Sequence, residues 1–235
     1  MSEQEVTTQE QNNEQVAETA APASSNDLKL DGIYAFKMGM MTVYGEDGSV
    51  IPVTALKYDP MIVSQVKTKE KDGYEAVQVA FKPKPARTSN AAELALYRKA
   101  GFENSAYFAR EIRQALPEGV SVGQKVSIDS LEKGVTVKMV ATSKGRGFTG
   151  AMKRHNFAGG PAAHGSKFHR QPGSVGMRTW PGRVLKGRKM PGQFGNEQTT
   201  VTSVKIVDVL PHENVILVKG PVPGAANTLV RLMKV

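Results

Sequence analysis

Val135-Thr136-Val137-Lys138-Met139-Val140 alternates apolar and polar residues as a half-buried strand does, and comparable text resumes only at Thr199, running to Leu210. From Lys133, through the first strand and the gap to Asn196, run 64 residues without one Asp or Glu. They carry 13 Lys or Arg, 13 Gly, 4 Pro, three of the four His and the single Trp, Trp180. A basic, glycine-rich segment of that length cannot pack a core of its own, and it repels itself unless a polyanion lies along it. Strand text on both sides makes it an extension projecting from a β-structure, and long irregular insertions in compact domains are commonly functional.

Further strand text lies on either side. Gly32–Met38 and Thr42–Tyr44 lead through a Gly45-Glu46-Asp47-Gly48 turn to Val50–Leu56. Ile62–Thr68 leads through a Glu70-Lys71-Asp72-Gly73 turn to Tyr74–Phe81, and Val215–Lys219 and Thr228–Val235 close the chain. Short strands joined by Gly/Asp turns predict a mainly β fold, a small antiparallel β-barrel. Within residues 82–118, Asn90 with Glu93 three positions on, and Gly101 as a stop, predict a short helix over Ala91–Ala100. The expected organisation is an acidic tail (1–29), a barrel domain (30–140 and 197–235, with an α-containing insertion at 82–118) and a basic extension (141–196).

Charge is concentrated rather than spread. Residues 1–30 sum to −5, the acid-free span to +13 and the remainder to +1, giving the net +9. The Glu/Gln/Asn/Thr/Ala-rich tail has no aromatic residue and reads as disordered. Two roles stay open for it: a dispensable solvated extension, or an intramolecular mimic of phosphate that shields the cationic segment. The absence of Cys excludes disulfides, thiolate catalysis and Cys-ligated zinc. No run approaches the roughly 18 apolar residues of a membrane helix, and the N-terminus lacks a signal-peptide pattern, so a cytoplasmic protein without a membrane partner is expected.

Several motifs lose to plainer readings. Gly145-Arg146-Gly147-Phe148-Thr149-Gly150 spells G-x-G-x-x-G, but the dinucleotide fold needs an acid about 20 residues on, and none occurs before Glu197. No cofactor is expected; the glycines let the backbone lie close to phosphates. His155, His164 and His169 have no Cys or carboxylate beside them and stand among eleven cations from Lys144 to Lys189, which opposes a metal site. No paired carboxylates or Ser/His/Asp arrangement marks an enzyme or a small-molecule substrate. For Trp180, core burial competes with stacking on a base, and its neighbours Arg178, Pro181 and Arg183 favour stacking. The Gly/Pro density argues against a helix in a DNA major groove. It suits a winding chain touching many phosphates of a folded RNA through Lys144, Arg146, Lys153, Arg154, Lys167, Arg170, Arg178, Arg183, Lys186, Arg188 and Lys189, with His164, His169 and Trp180 at bases or sugars.

These strings resemble a known family. Lys144-Gly145-Arg146-Gly147-Phe148, His169-Arg170-Gln171-Pro172-Gly173-Ser174-Val175-Gly176 and Pro181–Gly192 look like the bacterial ribosomal protein L3 family. Gly48–Thr54, Gly195-Asn196-Glu197 and Val218–Gly224 extend the match to nearly all of Asp31–Val235. The resemblance implies a structural protein that binds 23S rRNA of the large subunit, acts early in its assembly, neighbours ribosomal proteins L14 and L19, and reaches towards the peptidyl-transferase centre. Its rival is an RNA-acting enzyme or chaperone working away from the ribosome. Three departures stand out. Ala35–Met41 differs from the family's usual Gly-x-Lys-x-Gly-Met-Thr, and the acidic tail is additional. Thr179 occupies the position where some relatives carry a methylated Gln, so no modification is expected there, and Gln193 lies in a different string.

Overall fold

The computed structural model describes residues 28–235, so the acidic tail lies outside the described residues except for Leu28 and Lys29. Leu28 is tied to the body: its N–H donates to Lys125 O (2.9 Å), and Ser127 N–H donates to its carbonyl (3.0 Å).

Six strands close an antiparallel barrel. In chain order the twelve strands are β1 (Gly32–Tyr44), β2 (Val50–Tyr58), β3 (Met61–Lys67), β4 (Ala76–Pro83), β5 (Ala106–Ile112), β6 (Lys125–Val126), β7 (Thr136–Thr142), β8 (Phe148–Thr149), β9 (Gly192–Gln193), β10 (Gln198–Leu210), β11 (Val215–Lys219) and β12 (Leu229–Lys234). The barrel runs β1-β12-β7-β10-β11-β2, a second sheet runs β5-β4-β3-β6, and β8 pairs with β9 in a two-stranded ribbon. The mainly β fold and the antiparallel barrel follow the sequence expectation. The text at 62–68 and 74–81 does form strands, but they build the second sheet rather than staves of the barrel.

The register explains the core. Ile33 faces Leu232, which faces Met139; Ala35 faces Val230, which faces Ala141. Cross-strand partners share a face, and all six are buried, so they fill the barrel. Tyr34 and Phe36, of opposite parity on β1, are also buried. They meet Phe81 of β4 at ring-centroid distances of 5.9 and 6.0 Å, and Phe36 meets Phe108 of β5 at 5.6 Å. The Gly32–Phe36 half of β1 is therefore covered on both faces, by the barrel interior and by the second sheet, and one continuous core joins the two. The Tyr58 hydroxyl donates to the Val126 carbonyl and accepts from Met61 N–H, fixing the passage from barrel to second sheet.

Local differences from the sequence reading have simple causes. Strand β1 is one 13-residue strand, with a register shift between Lys37 and Gly39 absorbing the expected break. The Glu70–Gly73 turn tightens into a helical turn, Lys69–Asp72, closed by Gly73 at φ 81°. The second helix spans Ala91–Arg98, and the Asn90 side chain makes no cap bond. Glu93 instead takes a backbone hydrogen bond at Asn90, and contacts from Lys84 (2.9 Å), Ser105 and Asn90 hold its carboxyl below the usual range, the Lys84 contact contributing most.

Candidate nucleic-acid interface

Strands β7 and β10 are hydrogen-bonded neighbours, with Thr142 opposite Gln198 and Ala141 opposite Thr199. Residues 143–197 leave from one and return to the other. The extension is thus a giant hairpin loop on a closed barrel, with both ends anchored side by side.

Its root is built, not loose. Ser143 N–H donates to Glu197 O (2.9 Å), Arg146 N–H to Phe194 O (2.8 Å) and Phe194 N–H to Gly147 O (3.0 Å). Phe148 and Thr149 then pair with Gln193 and Gly192. At Gly195, φ is 72° and a Cβ would overlap the Lys144 carbonyl oxygen, so two backbone limbs touch where only glycine fits. The Arg146 guanidinium lies over the Phe194 ring, 5.1 Å from its centroid. On the barrel side, Lys37 Nζ donates to the carbonyls of Val222 (2.6 Å) and Gly224 (2.9 Å). Burial, and secondarily the charge of Lys144, lower its pKa. Nothing in the sequence separates Lys37 from other strand lysines, and it was missed as a root residue.

Above the ribbon, Ala151–His155 form one short helix, ended by Asn156 in the left-handed region at φ 59°. From it Arg154 Nη1 donates to Met190 O (2.8 Å), and His155 Nε2 lies 3.1 Å from the same oxygen. Gly192 gives Arg154 its room, since a Cβ there would sit 2.7 Å from Nη1. Further out, Gly160 N–H donates to His169 O (2.8 Å), closing the 160–169 loop, and Arg188 Nη2 donates to Ser174 O (2.8 Å). The Arg154, His155 and Arg188 contacts cross-link the limbs through backbone carbonyls, which a segment without carboxylates has in quantity.

The sequence-predicted contact residues fall into two groups. Lys144, Arg146, Lys153, His164, Lys167, His169, Arg170, Arg178, Arg183, Lys186, Arg188 and Lys189 are exposed along the loop, while Arg154 is half-buried as a brace. Trp180 is 83% exposed and belongs to no core. Among the described residues the ion pairs are Lys67–Glu111, Lys69–Glu75 and Lys84–Glu93, all in the second sheet and its connections. None of these ion pairs among the described residues involves a cation of the extension. Among the described residues no three of His, Asp and Glu gather as a metal cluster, and no described helix is long and apolar enough to cross a membrane.

A closed barrel that carries a long, exposed cationic hairpin has the build of a structural scaffold protein. A family model described as ribosomal protein L3 matches residues 118–213. The chain is 58% identical over 219 residues to large ribosomal subunit protein uL3 of Bdellovibrio bacteriovorus, covering 93% of this chain and all of that protein. It is 49% identical to the uL3 of Desulfotalea psychrophila and 45% identical to that of Leptospira biflexa, each over 87% of this chain and 98% of the relative. The chain belongs to the ribosomal protein L3 (uL3) family, a family of structural ribosomal proteins.

Proposed function

We propose that this protein is a structural constituent of the large ribosomal subunit that binds 23S rRNA through its extension, supports early assembly of the subunit, and reaches towards the peptidyl-transferase centre without chemistry of its own. The observation that carries this reading is the doubled, braced cationic loop, in a stretch with no Asp or Glu of its own from Lys133 to Asn196. Phosphates are the natural counter-charge for such a surface. The barrel (30–140 and 197–235, with its 82–118 insertion) sets orientation, and the 141–196 extension penetrates RNA. The tail, 1–29, is a separate acidic segment. Lys144, Arg146, Lys153, Lys167, Arg170, Arg178, Arg183, Lys186, Arg188 and Lys189 serve phosphates; His164, His169 and Trp180 serve bases or sugars. Ribosomal proteins L14 and L19 are the proposed neighbours, and the cytoplasm is the proposed compartment.

Sucrose-gradient sedimentation of cell extracts tests the reading: the protein co-migrates with large subunits. Migration only with free protein overturns it in favour of an RNA-acting enzyme or chaperone that works away from the ribosome. In purified form, about ten phosphate contacts give a slope of log K against log salt of roughly −9 on the duplex scale.

A further inference from the structure

We propose that Phe148 is a stacking site for an unpaired nucleobase, held at the root of the extension. Strand alternation on β8 buries Thr149, whose hydroxyl turns back to the Arg146 and Gly147 carbonyls, and turns Phe148 outward with 79% of its surface exposed. Most exposed apolar residues of the extension, such as Met177, Trp180 and Leu185, lie outside its regular elements. Phe148 instead sits on a hydrogen-bonded ribbon a few residues from the barrel, pinned by Gln193 opposite and by the Phe194–Gly147 bond behind. A ring held this way loses little freedom on binding.

The surroundings select the ligand. Lys144, Arg146 and Lys153 flank the ring in sequence, all exposed, and no acid occurs from Lys133 to Asn196. Phe194, which follows Phe148's cross-strand partner Gln193, already carries the Arg146 guanidinium over its ring. That leaves Phe148 as the free π face of a cationic platform. A single-stranded nucleotide supplies both a flat base for the face and a phosphate for the cations. An apolar protein surface would leave those charges unanswered.

The inference rests on the rRNA-binding reading and deepens it. Its test is binding of the full chain to large-subunit rRNA transcribed in vitro, across a salt series. Phe148→Ala lowers affinity by about 5- to 150-fold at fixed salt, the range of one lost base stack. The salt slope stays unchanged, because no phosphate contact is removed. Phe148→Trp retains binding, whereas Phe148→Leu, apolar without a π face, behaves like Phe148→Ala. Amide exchange at Thr149 and Gln193 reports whether the ribbon persists; if Phe148→Ala loses it, the Trp and Leu variants decide. Unchanged affinity in Phe148→Ala, or wild-type affinity in Phe148→Leu, overturns the stacking site. So does intact RNA binding with failed incorporation into subunits, which marks a protein contact instead. Salt-dependent binding by the wild type in those cases leaves the rRNA reading standing; its absence removes both.

Discussion

Arg154 donates from Nη1 to the carbonyl oxygen of Met190 across 2.8 Å, bolting the outgoing limb of the extension to the returning one. The guanidinium is thereby committed to the protein's own backbone, whereas its neighbour Lys153 is exposed. Adjacent cations in one basic string thus stand in different environments.

That separation can be measured. Lys153→Ala is expected to reduce the salt slope of rRNA binding by about 0.9, as loss of one phosphate contact does. Arg154→Ala should weaken binding while leaving the slope nearly intact, and should speed amide exchange around Gly192 and Gln193. A reduced slope in Arg154→Ala as well would make Arg154 a phosphate ligand.

Gly195→Ala attacks the root directly. An alanine at φ 72° costs about 1–3 kcal/mol in backbone strain, and its Cβ overlaps the Lys144 carbonyl. The root should open, with faster exchange at Ser143, Arg146 and Phe194, while the barrel keeps its cooperative unfolding. Calorimetry combined with hydrogen exchange checks both halves of this outcome.

Trp180→Ala removes a side chain that buries almost nothing in the free protein. Its effect on thermal unfolding should fall within the roughly 0.5 kcal/mol typical of surface substitutions. On the proposed function, chemical protection of rRNA near the peptidyl-transferase centre should nevertheless change. A Tm drop comparable to that of a core substitution would contradict the exposed placement.

In the second sheet, Lys67 Nζ meets Glu111 at 2.7 Å, and the Tyr74 hydroxyl donates to the same carboxylate at 2.9 Å. The Lys67 hydrogen bond foremost, and then Tyr74, hold the Glu111 carboxyl below its ordinary value. The bond to Glu111 raises the Lys67 ammonium. A depressed carboxyl stabilises the fold above its unfolded pKa, and that contribution is lost as pH falls through the folded value. A raised ammonium contributes below its unfolded pKa and fails only in strong base. Glu111→Gln should therefore be less stable than wild type in urea at neutral pH, with the gap closing below the ordinary carboxylate range. A gap that persists in acid would assign the loss to packing.

The barrel was legible where strands are half-buried. Val135–Val140 alternates because one face meets the core and the other water, and β7 forms there. Strand β1 concealed its length because it is buried on both faces at Gly32–Phe36 and largely exposed beyond, so no period of two survives. Strand β5 was missed for a related reason: Tyr107 is exposed beside half-buried Phe108, and Arg110-Glu111 interrupts the apolar text. The β8–β9 ribbon has two residues per strand, too few for any periodicity. Composition revealed that the extension is cationic. It could not reveal that Arg154 spends its charge on Met190, because that depends on which backbone carbonyl the returning limb brings within reach.

Anchoring both ends of the extension on adjacent strands leaves it with no free end. It cannot be drawn through an opening like a thread; any passage must admit two chains side by side, tip first. An RNA channel narrower than that can surround the hairpin only by closing after the protein has arrived. For a channel that narrow, the pairing of Thr142 with Gln198 sets an order of events in time as well as a shape in space.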